Sequence, residues 1–160
     1  MASGSGGAAG EAVAGAGAGL VAGLAYLGAQ ALDLRLLRTR ADDLAIHGRL
    51  LSADPRRWRP AGAVLHLGFG AVLGAVYAGR PRRRLTGHLP PWAAGVAFLQ
   101  LENAVLYPLL LPLQRLHPAW STGLLESYYR PATAAQQVWR HLVFGAVLGA
   151  LLGRPPGPGD

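Results

Sequence analysis

Residues 61–79 read AGAVLHLGFGAVLGAVYAG, and only His66 and Tyr77 among them carry a polar side chain. A helix of a soluble bundle needs a polar face opposite its apolar one. This segment has none on any face. Its nineteen residues would rise about 28 Å as an α-helix, close to the roughly 30 Å of a bilayer's hydrocarbon core. Working outward, the ionised residues leave three further windows of similar length. Glu11 and Asp33 enclose 21 uncharged residues. Arg84 and Arg115 enclose 30, broken only by Glu102, and Arg130 and Arg154 enclose 23, broken only by Arg140. The pattern predicts an all-α four-transmembrane-helix bundle, with helices near 13–34, 61–79, 91–114 and 134–153.

Composition agrees. The chain has 160 residues and 16.7 kDa, a mean hydropathy of +0.26, 51% hydrophobic residues and only 14% charged ones. A soluble domain carries about 25% charge. There is no cysteine, so a disulfide scaffold is excluded. All 15 basic residues are Arg, which with abundant Ala, Gly and Pro reads as the codon bias of a GC-rich bacterial genome. Residues 1–10 (MASGSGGAAG) are expected to be a flexible tail. They lack the basic start of a secretory signal. Residues 154–160 (RPPGPGD) form a Pro/Gly tail that cannot prolong a helix. Between them, residues 11–153 are expected to form a single membrane domain.

The chain repeats itself. Residues 66–76 (HLGFGAVLGAV) and 141–151 (HLVFGAVLGAL) agree at nine of eleven positions, at an offset of 75. The same offset pairs Gly48, Leu50 and Ser52 with Gly123, Leu125 and Ser127. Two helical-hairpin repeats, 11–80 and 90–153, follow from this. Each holds two spans, so the repeats are parallel, with a pseudo-two-fold axis along the membrane normal. His66, Gly70 and Gly74 recur every four residues, as do His141, Gly145 and Gly149, and in the first helix Gly15, Gly19 and Gly23. Small residues at that spacing let helix backbones approach closely where lipid supplies no hydrophobic drive. The expected arrangement has the second and fourth helices crossing near the pseudo-axis.

Loop 1 (between the first two helices) and loop 3 (between the last two) share one side and together hold ten Arg; loop 2 and the tail after the last helix hold five. The positive-inside rule then puts loops 1 and 3 in the cytoplasm of a bacterial plasma membrane, although the RPRRR cluster at 80–84 pulls the other way. Trp58, Trp92 and Trp139 stand where interfacial anchors belong. Residues 41–52 (ADDLAIHGRLLS) predict a short interfacial helix. Thr39 is its N-cap, Asp42 and Asp43 lie in its first turn, and Leu44, Leu51, Ile46 and Leu50 form its apolar side. Arg clusters beside a membrane are suited to anionic lipid headgroups. The net charge of +7 therefore does not point to nucleic acid.

Ionisable residues at membrane depth are the functional candidates. Glu102 with Asn103 lies near the middle of the third helix, and His66 and His141 lie about five residues into the second and fourth. At the same level the first helix presents Gln30, with Asp33 nearer the headgroups, and the third presents Tyr107. Pro108 follows Tyr107 and is expected to kink the helix. Gln30, His66, Tyr107 and His141 would form one layer, Glu102 below it and Arg140 above, snorkelling toward loop 3. Two readings stay open. The cluster is packing glue, its imidazoles and carboxylate bonded to neighbours, or it handles protons or a ligand. No H-E-x-x-H or H-x₃-H spacing supports a metal. No nucleophile elbow, phosphate loop or dinucleotide fingerprint is present, and Ser121, Ser127 and Thr133 read as turn or cap residues. Neither an enzyme nor a cofactor is expected.

The paired elements HLGFGAVLGAVYAG and RHLVFGAVLGALL, with the Pro-rich third span LENAVLYPLLLPLQRLHP, resemble bacterial inner-membrane proteins of the YagU-like type over roughly residues 15–153. The resemblance implies four helices and a membrane location, and no activity or catalytic residue. The expected function is that of a structural or accessory membrane component, a homo-oligomer or a partner subunit. The alternative is a minimal transporter or proton-coupled channel built on the Glu102 and His cluster.

Overall fold

The computed structural model describes residues 4–37, 41–113, 116–119 and 130–155. Among these every regular element is helical: α1 (Gly4–Leu37), α2 (Asp43–Arg49), α3 (Pro55–Ala78), α4 (Arg80–Thr86), α5 (Pro91–Leu113) and α6 (Pro131–Leu152). The four long helices fall on the four windows free of charge. Two of them, α1 from Gly7 and α3, are long and apolar enough to cross a membrane. α5 carries Gln100, Glu102 and Asn103, and α6 carries Gln136, Gln137, Arg140 and His141.

Every long helix except α5 starts earlier than expected. α1 begins at Gly4 and includes most of the stretch expected to be a tail. Its Ala residues favour helix, and Glu11 is clamped by both terminal nitrogens of Arg83, at 3.1 and 2.7 Å. α3 begins at Pro55, where Asp54 caps the helix by accepting from Arg56 N. α6 begins at Pro131. Both prolines occupy first-turn positions, where their missing N–H costs nothing. Thr133 is therefore a buried first-turn residue of α6 and not a loop residue. Ser121, Gly123, Leu125 and Ser127 lie outside the described residues.

Two short helices stand between the long ones: α2, where the sequence predicts a short helix at 41–52, and α4, which the sequence presented as loop. α2 is capped by Asp42, whose carboxylate accepts from Ala45 N at 3.3 Å; Thr39, the expected cap, lies outside the described residues. The helix does not rest flat on an interface. Asp43, Ala45, Ile46 and Gly48 are buried, whereas Leu50 and Leu51 are exposed. A Cβ on Gly48 would strike Trp58 O, and one on Gly62 would strike Leu44 O, so α2 is pressed against α3 backbone to backbone. α4 is the RPRRR cluster. Arg82 is buried and donates to Leu152 O at 3.3 Å, at the C-terminus of α6, and Arg83 holds Glu11. One arginine of this cluster, Arg82, is thus spent inside the protein, and a second, Arg83, is paired at the surface.

The glycine stripes work within each hairpin, which corrects the expectation that the second and fourth helices cross. α1 packs along α3: a Cβ on Gly19 would run into the Gly70 carbonyl, and one on Gly15 into that of Gly74. Gly23, the third of that stripe, faces the flexible end of Leu67 at 3.1 Å. α5 packs along α6 by the same device: Gly95 meets Gly145, and Gly149 meets the Pro91 carbonyl. The hairpins are joined chiefly through α1 on α6. Phe144 of α6 reaches toward Gly70 and Gly23 in this seam. Tyr77 and Phe98 meet at 5.2 Å between α3 and α5.

Candidate functional site

Three polar residues on α1, Tyr26, Gln30 and Asp33, are spaced i, i+4, i+7 and share a face. On α6 the same geometry aligns Thr133, Gln136, Gln137 and Arg140. All seven are buried. Where these faces meet, Arg140 sits at 0% exposure. Its Nε and Nη2 fork onto Asp33, 2.7 Å to each oxygen. Its Nη1 donates to Asp43 Oδ2 at 2.7 Å. Ala41 O accepts from both Nη1 and Nη2 at 3.2 Å, and Gln30 Oε1 lies 3.5 Å from Nη1. Guanidinium has five N–H bonds in a rigid fork, and each has an acceptor here. The expectation that Arg140 snorkels toward loop 3 is overturned. A counter-ion on either side, from α1 and from α2, holds it inside.

The carboxylates are bonded in turn. Gln136 donates to Asp33 at 2.8 Å, and Gln137 donates to Asp43 at 3.0 Å. Tyr26 has one hydroxyl hydrogen and two acceptors in reach, Asp43 at 2.7 Å and Gln137 Oε1 at 3.0 Å. The shorter, charge-assisted contact to Asp43 takes it. Burial pushes the Asp43 carboxyl upward. The Arg140 charge, His47 and the hydrogen bonds from Tyr26 and Arg140 outweigh it and hold the group below 3.8. A second ion pair adjoins the first. Asp42 takes Arg59 at 2.7 Å and accepts from Gln30 at 3.1 Å. One polar unit therefore ties α1, α2, α3 and α6 together.

Next to this network lies a ring cluster. Tyr26 meets His66 at 4.4 Å and His141 edge-on at 5.5 Å, and His47 of α2 stacks on His66 at 6.1 Å. His141 Nε2 faces Glu102 Oε2 at 3.4 Å. Glu102 is thus level with His141, not below it. The longer N-terminal part of α6 accounts for this: His141 is the eleventh residue of the helix, about 15 Å from its start. His66 is likewise twelfth in α3. Beyond the long helices, His117 accepts from Ala119 N at 2.9 Å. Burial and the neighbouring His47 hold its imidazole below 6.5.

Of the residues singled out in the sequence, the structure brings Gln30 and Arg140 into the ion network and Glu102, His66 and His141 into or beside the ring cluster. Tyr107 sits five residues beyond Glu102 on α5, partly buried. From the sequence, Asp33 is only a headgroup-side residue and Asp43 only a helix-start residue; the structure makes both counter-ions of Arg140. Tyr26, Gln136 and Gln137 carry no charge and do not interrupt the apolar windows. The available signal was the i, i+3, i+4, i+7 polar stripe within an otherwise apolar helix, together with the need of a mid-helix Arg for a counter-ion. Among the described residues no three His, Cys, Asp or Glu side chains are placed to hold a metal ion. No family model, no curated protein and no solved structure matches the chain.

Proposed function

We propose that the chain is a four-span integral protein of a bacterial plasma membrane, made of two parallel hairpin repeats, and that it serves as a structural or accessory membrane component. One observation carries the reading. Polarity is distributed inside out. The exposed positions of α1 between 13 and 32, of α3 between 60 and 76, of α5 between 91 and 109, and throughout α6 are all apolar or glycine. Val64 at 71% and Leu101 at 66% exposure are typical. Charges and amides are turned inward. Water penalises that arrangement, since exposed apolar patches of this extent drive association. A bilayer favours it, because polar groups in lipid must find protein partners. The hydropathy of α5 and α6 is lowered by side chains that face protein, so it does not count against their crossing lipid.

The saturated Arg140 network supports a structural role, with the network acting as the bolt between the hairpins. The matched glycine contacts, Gly19 on Gly70 and Gly95 on Gly145, support the repeat. Kinship with the YagU-like type rests on the two HxxxGxxxG elements. The orientation with loops 1 and 3 cytoplasmic gains from the bonds of Arg82 to Leu152 O and of Arg83 to Glu11, which leave Arg80, Arg84 and Arg154 as the uncommitted arginines of the opposite side among the described residues. Arg56 and Arg57 are exposed on the loop 1 side, suited to anionic headgroups. The transporter or proton-coupled alternative has one contact in its favour, His141 on Glu102. Extraction of native membranes in mild detergent, followed by sizing, tests the accessory reading. A complex heavier than the 16.7 kDa chain is expected. A lone chain that carries ions or solutes across liposomes would overturn it.

A further inference from the structure

We infer that Glu102 and His141 form a proton-binding site within the bundle, one proton held between a carboxyl oxygen and an imidazole nitrogen. The far side of the imidazole ring decides it. His141 Nδ1 lies 2.7 Å from Gln137 O, one turn earlier in α6. A carbonyl oxygen only accepts, so Nδ1 carries a hydrogen. Turning the ring over would set a carbon at that distance, well inside the roughly 3.3 Å at which C–H···O contacts begin. In the neutral ring the lone pair is therefore on Nε2, the atom that faces Glu102 Oε2 at 3.4 Å. Carboxylate and bare nitrogen are both acceptors and repel. The juxtaposition is stable when a proton sits on one of them, giving imidazolium against carboxylate or imidazole against carboxylic acid. The proton belongs to the pair. Uptake from water takes the pair from a charge of minus one to zero, and release reverses it, with no other bond made or broken.

The surroundings fit this use. Arg140, beside His141 on α6, is already saturated by Asp33 of α1 and Asp43 of α2, so it does not neutralise Glu102. Tyr26 of α1 touches the His141 ring but turns its hydroxyl to Asp43. His66 of α3 and His47 of α2 lie beyond Tyr26, and Tyr107 lies further along α5. Glu102 and His141 are 18% and 16% exposed, Glu102 Oε2 is itself buried with no hydrogen-bond partner among the described residues, and Gln100 and Asn103 lie beside Glu102 on α5. The first hairpin lacks the pair. His66 matches His141 at the repeat offset, but the ring it meets is that of Tyr26, and its Nε2 has no hydrogen-bond partner among the described residues. The site is a property of α5 and α6 alone and does not depend on the accessory role proposed above.

Solid-state NMR of the full chain in lipid nanodiscs, labelled with ¹⁵N at His and ¹³C at Glu and titrated with acid and base, tests it. His141 Nδ1 is expected to stay protonated throughout. At neutral pH either Nε2 or the Glu102 carboxyl is expected to carry a second proton, lost in a single step as the pH rises. Glu102→Gln should remove that step, releasing one proton fewer per chain, and His66→Gln should leave it in place. An ionised Glu102 beside a neutral His141 with bare Nε2, seen at neutral pH in the unaltered chain, overturns the inference. So does a Glu102→Gln titration identical to that of the unaltered chain. The first of these needs no variant to fold.

Discussion

Arg140 is held by Asp33 and Asp43 at 2.7 Å each, and truncating it would leave two buried carboxylates facing each other. Breaking a buried ion pair from one side typically costs about 3–5 kcal/mol. Arg140→Ala should lose stability of that order in a detergent unfolding titration. Replacing all three charges by apolar residues (Arg140→Met, Asp33→Leu, Asp43→Leu) should recover most of the loss, because no unpaired charge then remains. A single variant as stable as the parent would show that the network does not tie the hairpins. The same residues set a pH dependence. The Asp43 carboxyl is held below 3.8 in the fold. Its contribution is therefore present above 3.8 and lost as the pH falls through the lower folded value. His117 is held below 6.5, so the unfolded chain takes up its proton first, and stability falls as the pH drops below 6.5. Unfolding midpoints measured against pH should show both declines. Asp43→Asn should lessen the acidic one, and His117→Asn the one near neutrality. Arg140 and Glu102 were visible in the sequence because each interrupts an apolar run. Asp43 was not, since a carboxylate at a helix start is most often explained by the helix dipole. Its partner lies 97 residues away, and nothing local marks the pairing.

At the scale of the helix, spacing alone identified Gly15, Gly19, Gly70, Gly74, Gly145 and Gly149 as contact residues but not their partners. A GxxxG stripe specifies close approach and is silent about which helix approaches. The seam runs inside each hairpin, α1 on α3 and α5 on α6, although the shortest connection, through α4, links α3 to α5. Gly95, which meets Gly145, stands in no stripe of its own and could not be singled out. The contacts distinguish substitutions of equal chemistry. Gly19→Leu forces its side chain into the Gly70 carbonyl and should cost at least the roughly 1–3 kcal/mol of overpacking. Gly17→Ala, with nothing within 4 Å of its Cβ, should be neutral or slightly stabilising through helix propensity. Parallel thermal unfolding of the two in nanodiscs checks this, and equal losses would contradict the packing. Helix starts were misjudged for a related reason. Arg56, Arg57 and Arg59 bound the apolar window on its N-terminal side, whereas Asp54-Pro55 is a helix start by its own chemistry.

For the molecule as a whole, the number and place of the long helices were legible because a missing charge is a one-dimensional signal. The depth and mutual level of the polar groups were not, because they depend on where helices begin outside the apolar windows. What remains is a body whose long helices are apolar on the outside and hold their ions inside, the distribution on which the proposed membrane location rests. Since the chain has no cysteine, single cysteines can report on every surface without a background. The most direct measurement is labelling of Val64→Cys, Leu101→Cys, Val72→Cys and Leu151→Cys in native membranes with a water-soluble maleimide, against Arg56→Cys and Arg84→Cys as controls. All six positions are exposed on the protein. The four girdle positions should stay unlabelled until detergent or denaturant is added, while the two arginine positions react once the reagent reaches their side. Girdle positions that react as fast as the controls, in intact membranes or in a detergent-free soluble fraction, would mean that water and not lipid covers this surface.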